Sequence, residues 1–334
     1  MIEKIDEEEA AKFLEQMDRE LGVNDLGPAV TEVVEQPSPK SLGKVSNYSD
    51  LTELSGAAES SWKILDLMGL PSQGMFYPEG AELLLRPAKT KEIRHWSTID
   101  ENDPIDVREK INFVLNTCTK FTVKGAGRPL NFNDFLEIDR YHILFRIYEL
   151  TFPNQENKLW ANIKCDNERC GHINRIQVGS QNLKGFECPE ELVKWYSPEE
   201  RCFKVISEKL QETIRIYLPS FGVDTRIRQR KNSEVKSGAE IDDAFYEFSP
   251  YLAGDWRTCD TSYLSNLKMN SQNWQQNKFV FIHKFTKALK DASLNKAGCK
   301  CEKCGSITES HIFLAGSFTV KDIFIISAGL DELI

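Results

Sequence analysis

Residues 164–174 read KCDNERCGHIN, and residues 299–313 read CKCEKCGSITESHIF. In each stretch two cysteines stand close together and a glycine follows the second. Four residues separate Cys165 from Cys170, and two separate Cys301 from Cys304. A tight turn of this kind brings two thiolates to one ion, and glycine relieves the positive φ such a turn needs. One turn supplies two ligands, whereas zinc takes four in a tetrahedron, so the two turns complete one site. INRIQV (173–178) and HIFLAG (311–316) follow the turns as strand-like runs. The pattern predicts a zinc-ribbon-like module assembled from two cysteine knuckles. The long stretch between them is an insertion, tolerated because loop-closure entropy grows slowly with length.

The ligand set is Cys165, Cys170, Cys301 and Cys304, holding one structural zinc per chain. Cys299 offers a third thiol to the second turn, but the CxxCG geometry selects Cys301 with Cys304. His172 and His311 are nitrogen donors nearby and are read as bystanders. An iron–sulfur cluster would use the same four thiolates; zinc is preferred because nothing adjacent suggests a redox partner. A thioredoxin-like role requires a βαβ pattern around the CxxC, and none surrounds it. Unliganded exposed thiols would invite oxidation. Cys118, Cys188 and Cys202 have no close partner and are read as packing residues.

Working outward, the chain has 334 residues, enough to bury a substantial core. It is 40% hydrophobic and 28% charged, with a formal net charge of −9. That charge argues against a general nucleic-acid binder, which needs a basic face for phosphates. No apolar run long enough to span a bilayer occurs, and MIEKIDEEEA lacks the basic-then-apolar pattern of a secretory signal. Nine cysteines without such a signal fit a reducing compartment.

Residues 1–24 place Ile5, Phe13, Leu14, Met17 and Leu21 on one helical face among many acids. Residues 25–60 are rich in Pro, Ser, Gly and Glu without a persistent period, which predicts a tether. Together residues 1–60 read as a partner-binding arm. Folded sequence is expected from Trp62. LMGLPSQGMFYPEG (67–80) is turn-rich and AELLLRPAK reads as a strand. Asp103 or Asp106 starts a helix whose apolar face is Ile111, Val114, Leu115 and Cys118. Residues 131–152 read as one longer helix, with Asp134, Glu137 and Asp139 as caps or a solvated face. QETIRIYLPSFGVDTRIRQRK predicts a hairpin turning at Pro219–Gly222, with the basic run 226–231 as a solvated strand end. Residues from about 238 to 291 turn helical, and a strand follows the second knuckle. The fold class expected is α+β. Its expected parts are the arm (1–60), an α/β body (61–158), the cysteine module (159–200 with 297–334) and a hairpin and helical insertion (201–296).

The order LPSQGMFYP, then IRHWSTIDENDPIDVREKINFVLNTCTKF, then NFNDFLEIDRYHILFRIYELTF, then IKCDNERCGHINRIQV, and finally CEKCGSITESHIFLAGSFTVKDIFII, resembles baseplate hub subunit and hub assembly proteins of T-even-type contractile-tailed bacteriophages. The resemblance covers residues 65–180 and 297–330. It implies a non-enzymatic structural or assembly protein of the virion tail baseplate, present in host cytoplasm during assembly. Its implied partners are other baseplate and hub proteins, with no nucleic acid and no membrane. It carries no catalytic residues, and its metal positions here are the four cysteines named above. The alternative is a zinc-ribbon nucleic-acid-binding protein. A Gly-rich phosphate loop, HExxH and GxSxG are all absent from the sequence, so no enzyme is expected.

Overall fold

A computed structural model describes residues 51–53, 62–124, 129–153, 159–184, 186–207, 212–292, 296–311 and 319–324. The chain is a mixed α+β protein. Of the described residues, 188–292 form one compact unit and the rest form another. The amphipathic segment of residues 1–24, and most of the tether, lie outside the described residues.

The larger unit begins with an antiparallel sheet, β1 (Leu51–Glu53), β2 (Lys63–Leu65), β3 (Ala81–Leu85) and β4 (Thr119–Val123), in that spatial order. The first strand falls inside the stretch read as tether, because Leu51–Glu53 pairs with Lys63–Leu65. Leu65, Leu83, Leu85 and Phe121 point to the buried face, following the two-residue alternation of a pleat. Helix α1 (Thr90–Trp96) and helix α2 (Pro104–Cys118) lie between β3 and β4 in sequence. Asp103 caps α2, its carboxylate accepting from Ile105 N–H at 2.8 Å, and Pro104 stands in the first turn, where no donor is needed. Ile111, Val114, Leu115 and Cys118 are the buried stripe, as the spacing predicts. Burial pushes the Cys118 thiol up to about 11, which fits an inert packing role.

The single helix expected over 131–152 is instead two 3₁₀ turns, Phe132–Asp134 and Glu137–Asp139, followed by α3 (Arg140–Thr151). Local hydrogen bonds explain the break. Asn131 accepts from Asn133 N–H, and Asp134 reaches back to Asn131 N–H, both at 2.9 Å. The three carboxylates also part ways. Asp134 caps, Glu137 takes Arg108 and Arg140, and Asp139 is fully buried. Asp139 accepts from the Tyr77 hydroxyl at 2.7 Å and from Ser72 N–H at 2.9 Å. Tyr77 in turn accepts from Leu136 N–H at 3.1 Å. The turn-rich segment 67–80 is thereby tied to the start of α3.

Two strands follow, β5 (Leu159–Lys164) and β6 (Ile173–Val178), and then the short β7 (Leu183–Lys184). The second unit comes next: α4 (Glu190–Val193), β8 (Tyr196–Ser197), β9 (Cys202–Ser207), β10 (Glu212–Ile216), α5 (Phe221–Lys236), α6 (Asp243–Leu252), α7 (Thr261–Ser271) and α8 (Gln276–Ala292). β8 pairs with β9, so residues 188–200, read from sequence with the cysteine module, fold with the helical segment instead. The hairpin turn joins Ser207 to Glu212, not Pro219 to Gly222. Pro219 ends the alternating run, and the Ser220 hydroxyl accepts from Val223 N–H to start α5. The basic run 226–231 is therefore helical, with Arg228 on Asp224, Arg230 on Glu234 and Lys231 on Asp243. The core of this unit includes Phe203, Ile216, Phe221, Phe245, Phe248, Phe281 and Phe285.

Gly222, buried at the start of α5, lies against the half-buried Trp256. A Cβ there would lie 2.5 Å from Trp256 Cγ. Gly222→Ala is expected to lower stability by about 2 kcal/mol through overpacking. The urea midpoint followed by tryptophan fluorescence checks it, and an unchanged midpoint would contradict the close approach.

The chain closes in the larger unit with β11 (Lys296–Lys300) and β12 (Ile307–His311), in the sheet order β12-β11-β7. β12 runs up to His311, where the run read from sequence as a strand begins; residues 312–318 of that run lie outside the described residues, and residues 321–324 form a 3₁₀ turn. Ile323 and Phe324 are fully buried there, and the Trp96 indole donates to Val320 O and Lys321 O. Phe324 packs against Trp96 edge to face at 5.0 Å.

Candidate metal centre

Strands β5 and β6 form one hairpin, with Lys164 opposite Ile173. Strands β11 and β12 form another, with Lys300 opposite Ile307. Each hairpin ends in a knuckle. In the first, Cys165 N–H donates to His172 O at 2.8 Å; in the second, Cys301 N–H donates to Ser306 O at 2.8 Å. The same bond thus closes both turns, from the first cysteine to the residue after the glycine. Gly171 and Gly305 have φ of 57° and 77°, the left-handed conformation that glycine adopts freely. The longer spacing of the first knuckle is absorbed inside its loop. Cys170 N–H donates to Asn167 O, and Arg169 N–H to the Asn167 side chain.

The two tips meet. The sulfurs of Cys165, Cys170, Cys301 and Cys304 all lie within 4.8 Å of one another. Cys165 Sγ is 3.5 Å from Cys304 Sγ, and Cys170 Sγ is 3.8 Å from Cys301 Sγ. These separations exceed a disulfide bond, which is ~2.05 Å. They bracket the ~3.8 Å edge of a tetrahedron built from ~2.3 Å zinc–sulfur bonds. Cys165 and Cys301 are buried, Cys170 is half-buried and Cys304 is exposed. Cys299 stands opposite Thr308 in β11 and lies outside the four-sulfur group. Among the described residues no histidine joins that group.

The electrostatics of the site are mixed, lowering two of the thiols and raising a third. The Ser306 hydroxyl lies 3.2 Å from Cys304 Sγ. That hydroxyl and the Ser306 N–H hold the Cys304 thiol down at about 6. The N–H of Cys304, opposed by loss of water and helped by that of Lys303, lowers Cys301. At Cys170 the His172 N–H acts the same way, but loss of water and the neighbouring sulfurs outweigh it and put this thiol at about 11. Negative charges on neighbouring sulfurs repel at this range. A bound dication removes that conflict. The donor set is all sulfur, which suits zinc or iron.

Comparison with protein-family models, curated proteins and solved structures finds no match. The case therefore rests on the chain itself, and the two tips carry a signal that spacing alone missed. Lys164-Cys165-Asp166 and Arg169-Cys170-Gly171-His172-Ile173 correspond, position by position, to Lys300-Cys301-Glu302-Lys303-Cys304-Gly305-Ser306-Ile307. Asn167 and Glu168 are the two residues the first knuckle has in addition. Aligning the stretches with that gap would have found the repeat. Ile173 and Ile307, matched in this alignment, are both exposed.

The remaining titratable candidates do not converge. Cys188 is half-buried, Cys202 and Cys259 are buried, and all three lie in the second unit. His142 is buried in α3 with neither ring nitrogen hydrogen-bonded; burial and the Arg146 charge lower it to about 3. His95 packs on Phe113, and His283 faces Glu247. Among the described residues no helix is long and apolar enough to cross a membrane.

Proposed function

We propose that this chain is a structural or assembly component of a phage tail baseplate hub, acting by protein–protein binding. Its body would be held by one zinc in a ribbon-like module formed by the two knuckle hairpins. The observation that carries the reading is where the resembling segments lie. Residues 65–180 and 297–330 carry the ordered motifs, and their described parts belong to one compact unit. The helical segment 188–292 is a separate unit set between them in sequence. A four-thiolate site leaves no open coordination position, so its role is to hold the fold.

The acidic stretch before β1, residues 1–50, supplies the contact to neighbouring hub proteins in this reading. Phe13, Leu14 and Met17 are its anchors, since buried aromatic and aliphatic side chains dominate such contacts. Changing all three to Ser is expected to leave metal content and melting temperature unchanged while reducing the yield of contractile tails at least tenfold. Mass spectrometry of purified tails is expected to find this chain with the other hub proteins. Normal tails from phage that lack the gene, or a chain absent both from tails and from their assembly intermediates, would overturn the proposal. Salt-sensitive DNA binding by the pure protein would favour the nucleic-acid reading instead.

A further inference from the structure

Each knuckle is fixed by the strand of the other hairpin, through matching atoms. Glu302 N–H, next after Cys301, donates to Asn174 Oδ1 at 3.0 Å. Asp166 N–H, next after Cys165, lies 3.4 Å from Thr308 Oγ1. Asn174 and Thr308 occupy the same place in the repeat, two residues beyond the one that closes the turn. Both are buried, at 2% and 0% exposure. So the donor that follows each first cysteine is held by a side chain from the other knuckle's second strand. Asn174 also donates Nδ2–H to Ile163 O across its own hairpin, at 3.2 Å. Asp166 makes a further crossing, its carboxylate accepting from Glu309 N–H at 3.3 Å.

We propose that Asn174 and Thr308 are paired positioning residues that set the metal affinity of this centre. The inference rests on the metal reading above and deepens it. Neither side chain belongs to the four-sulfur group that would hold the ion. Each holds the backbone beside a buried ligand, so that the two half-sites meet at tetrahedral spacing before the ion arrives. Without these bonds the knuckles keep their own turns but lose their mutual register. The ion must then order them at its own expense, which appears as weaker binding. Outer-shell partners of metal ligands commonly contribute ~10–100-fold in affinity.

The two positions differ in a way that ranks them. Asn174 makes the shorter crossing bond and a second bond within its hairpin. Asn174→Ala is therefore expected to weaken zinc binding by about 10–100-fold. Thr308→Val removes only the longer bond and keeps the shape, so a smaller, several-fold loss is expected. Thr308→Ser keeps the hydroxyl and is expected to restore most of it. The test is competition of the full-length protein against a chromophoric chelator, using zinc alone. Cobalt-loaded samples supply the second readout. Their sulfur-to-metal charge-transfer band should be as intense in the saturated variants as in the parent, because all four thiolates remain.

Wild-type zinc affinity in Thr308→Val would overturn the positioning role, as would a Thr308→Ser variant as weak as Thr308→Val. A reduced charge-transfer band at saturation would also overturn it, by showing that a ligand had been lost. If Asn174→Ala fails to fold, the Val and Ser pair still decides the question. Failure of the parent protein to bind zinc or cobalt would instead sink the metal reading itself.

Discussion

Cys304→Ser is expected to abolish zinc binding and to unfold the unit that carries both knuckles. The reason is the size of two terms. Zinc held by structural thiolate sites contributes on the order of 10 kcal/mol of folding free energy. The net stability of a domain is only ~5–15 kcal/mol. A neutral serine hydroxyl is a poor zinc ligand, so most of the first term is lost against the second. Cys304 is the informative position because it is exposed. An exposed side chain contributes little packing, so a collapse there must act through the metal. Cys301→Ser should behave alike, with added loss from a buried site. Cys188→Ser is the control: its thiol is half-buried in the other unit, beside Pro189 O, and should change neither metal content nor melting temperature. Elemental analysis of protein purified without added metal should give about one zinc per chain. Iron in place of zinc, metal-free but well-folded parent protein, or equal metal loss in Cys188→Ser would refute the assignment.

The second large effect lies away from the metal. Asp139→Ala should cost about 3 kcal/mol, since it strips the acceptor from Ser72 N–H and the Tyr77 hydroxyl in a fully buried place. The same node gives a pH dependence. Burial raises the Asp139 carboxyl from 3.8 to about 6, against the hydrogen bonds from Tyr77 and Ser72. The folded state therefore holds the proton more tightly than the unfolded state does. Its contribution to stability rises as pH falls from about 6 toward 3.8 and is lowest above about 6. At ~1.4 kcal/mol per pH unit the full span is about 3 kcal/mol. Asp139→Asn removes the titration while keeping an acceptor. The difference in unfolding free energy between parent and Asn variant, measured at pH 4.5 and 7.5, should shift toward the parent at the lower pH. Metal-linked protons are shared by both proteins and cancel. A difference that is flat with pH would show that Asp139 does not titrate as its burial implies.

Much of the candidate site was legible in the chain. Cysteine pairs followed by glycine have few uses outside a metal turn, and the turn is a local object. Its closing hydrogen bond, its positive φ and its flanking strands all depend on residues a few places apart. The amphipathic stripe and Asp103 cap of α2 were readable for the same reason. The hairpin at Pro219–Gly222 was misread because a serine cap and a proline-terminated strand look alike in one dimension. α5 also buries only a narrow stripe, Phe221, Val223 and Ile227 with Gly222, which gives little helical period to detect.

The sequence by itself determined the two half-sites, the α+β content and the apolar stripe and cap of α2, because near-neighbour sterics and hydrogen bonds settle them. The four thiols that the spacing selects are the four that meet, with Cys299 outside them; only the tertiary structure decided how the two tips come together and that Asn174 and Thr308 cross between hairpins. It alone took Asp139 from a presumed surface cap to a buried acceptor for Tyr77. These are contacts between residues far apart in the chain. Their formation depends on how strands from the middle and the end pack together, and no local preference encodes that packing.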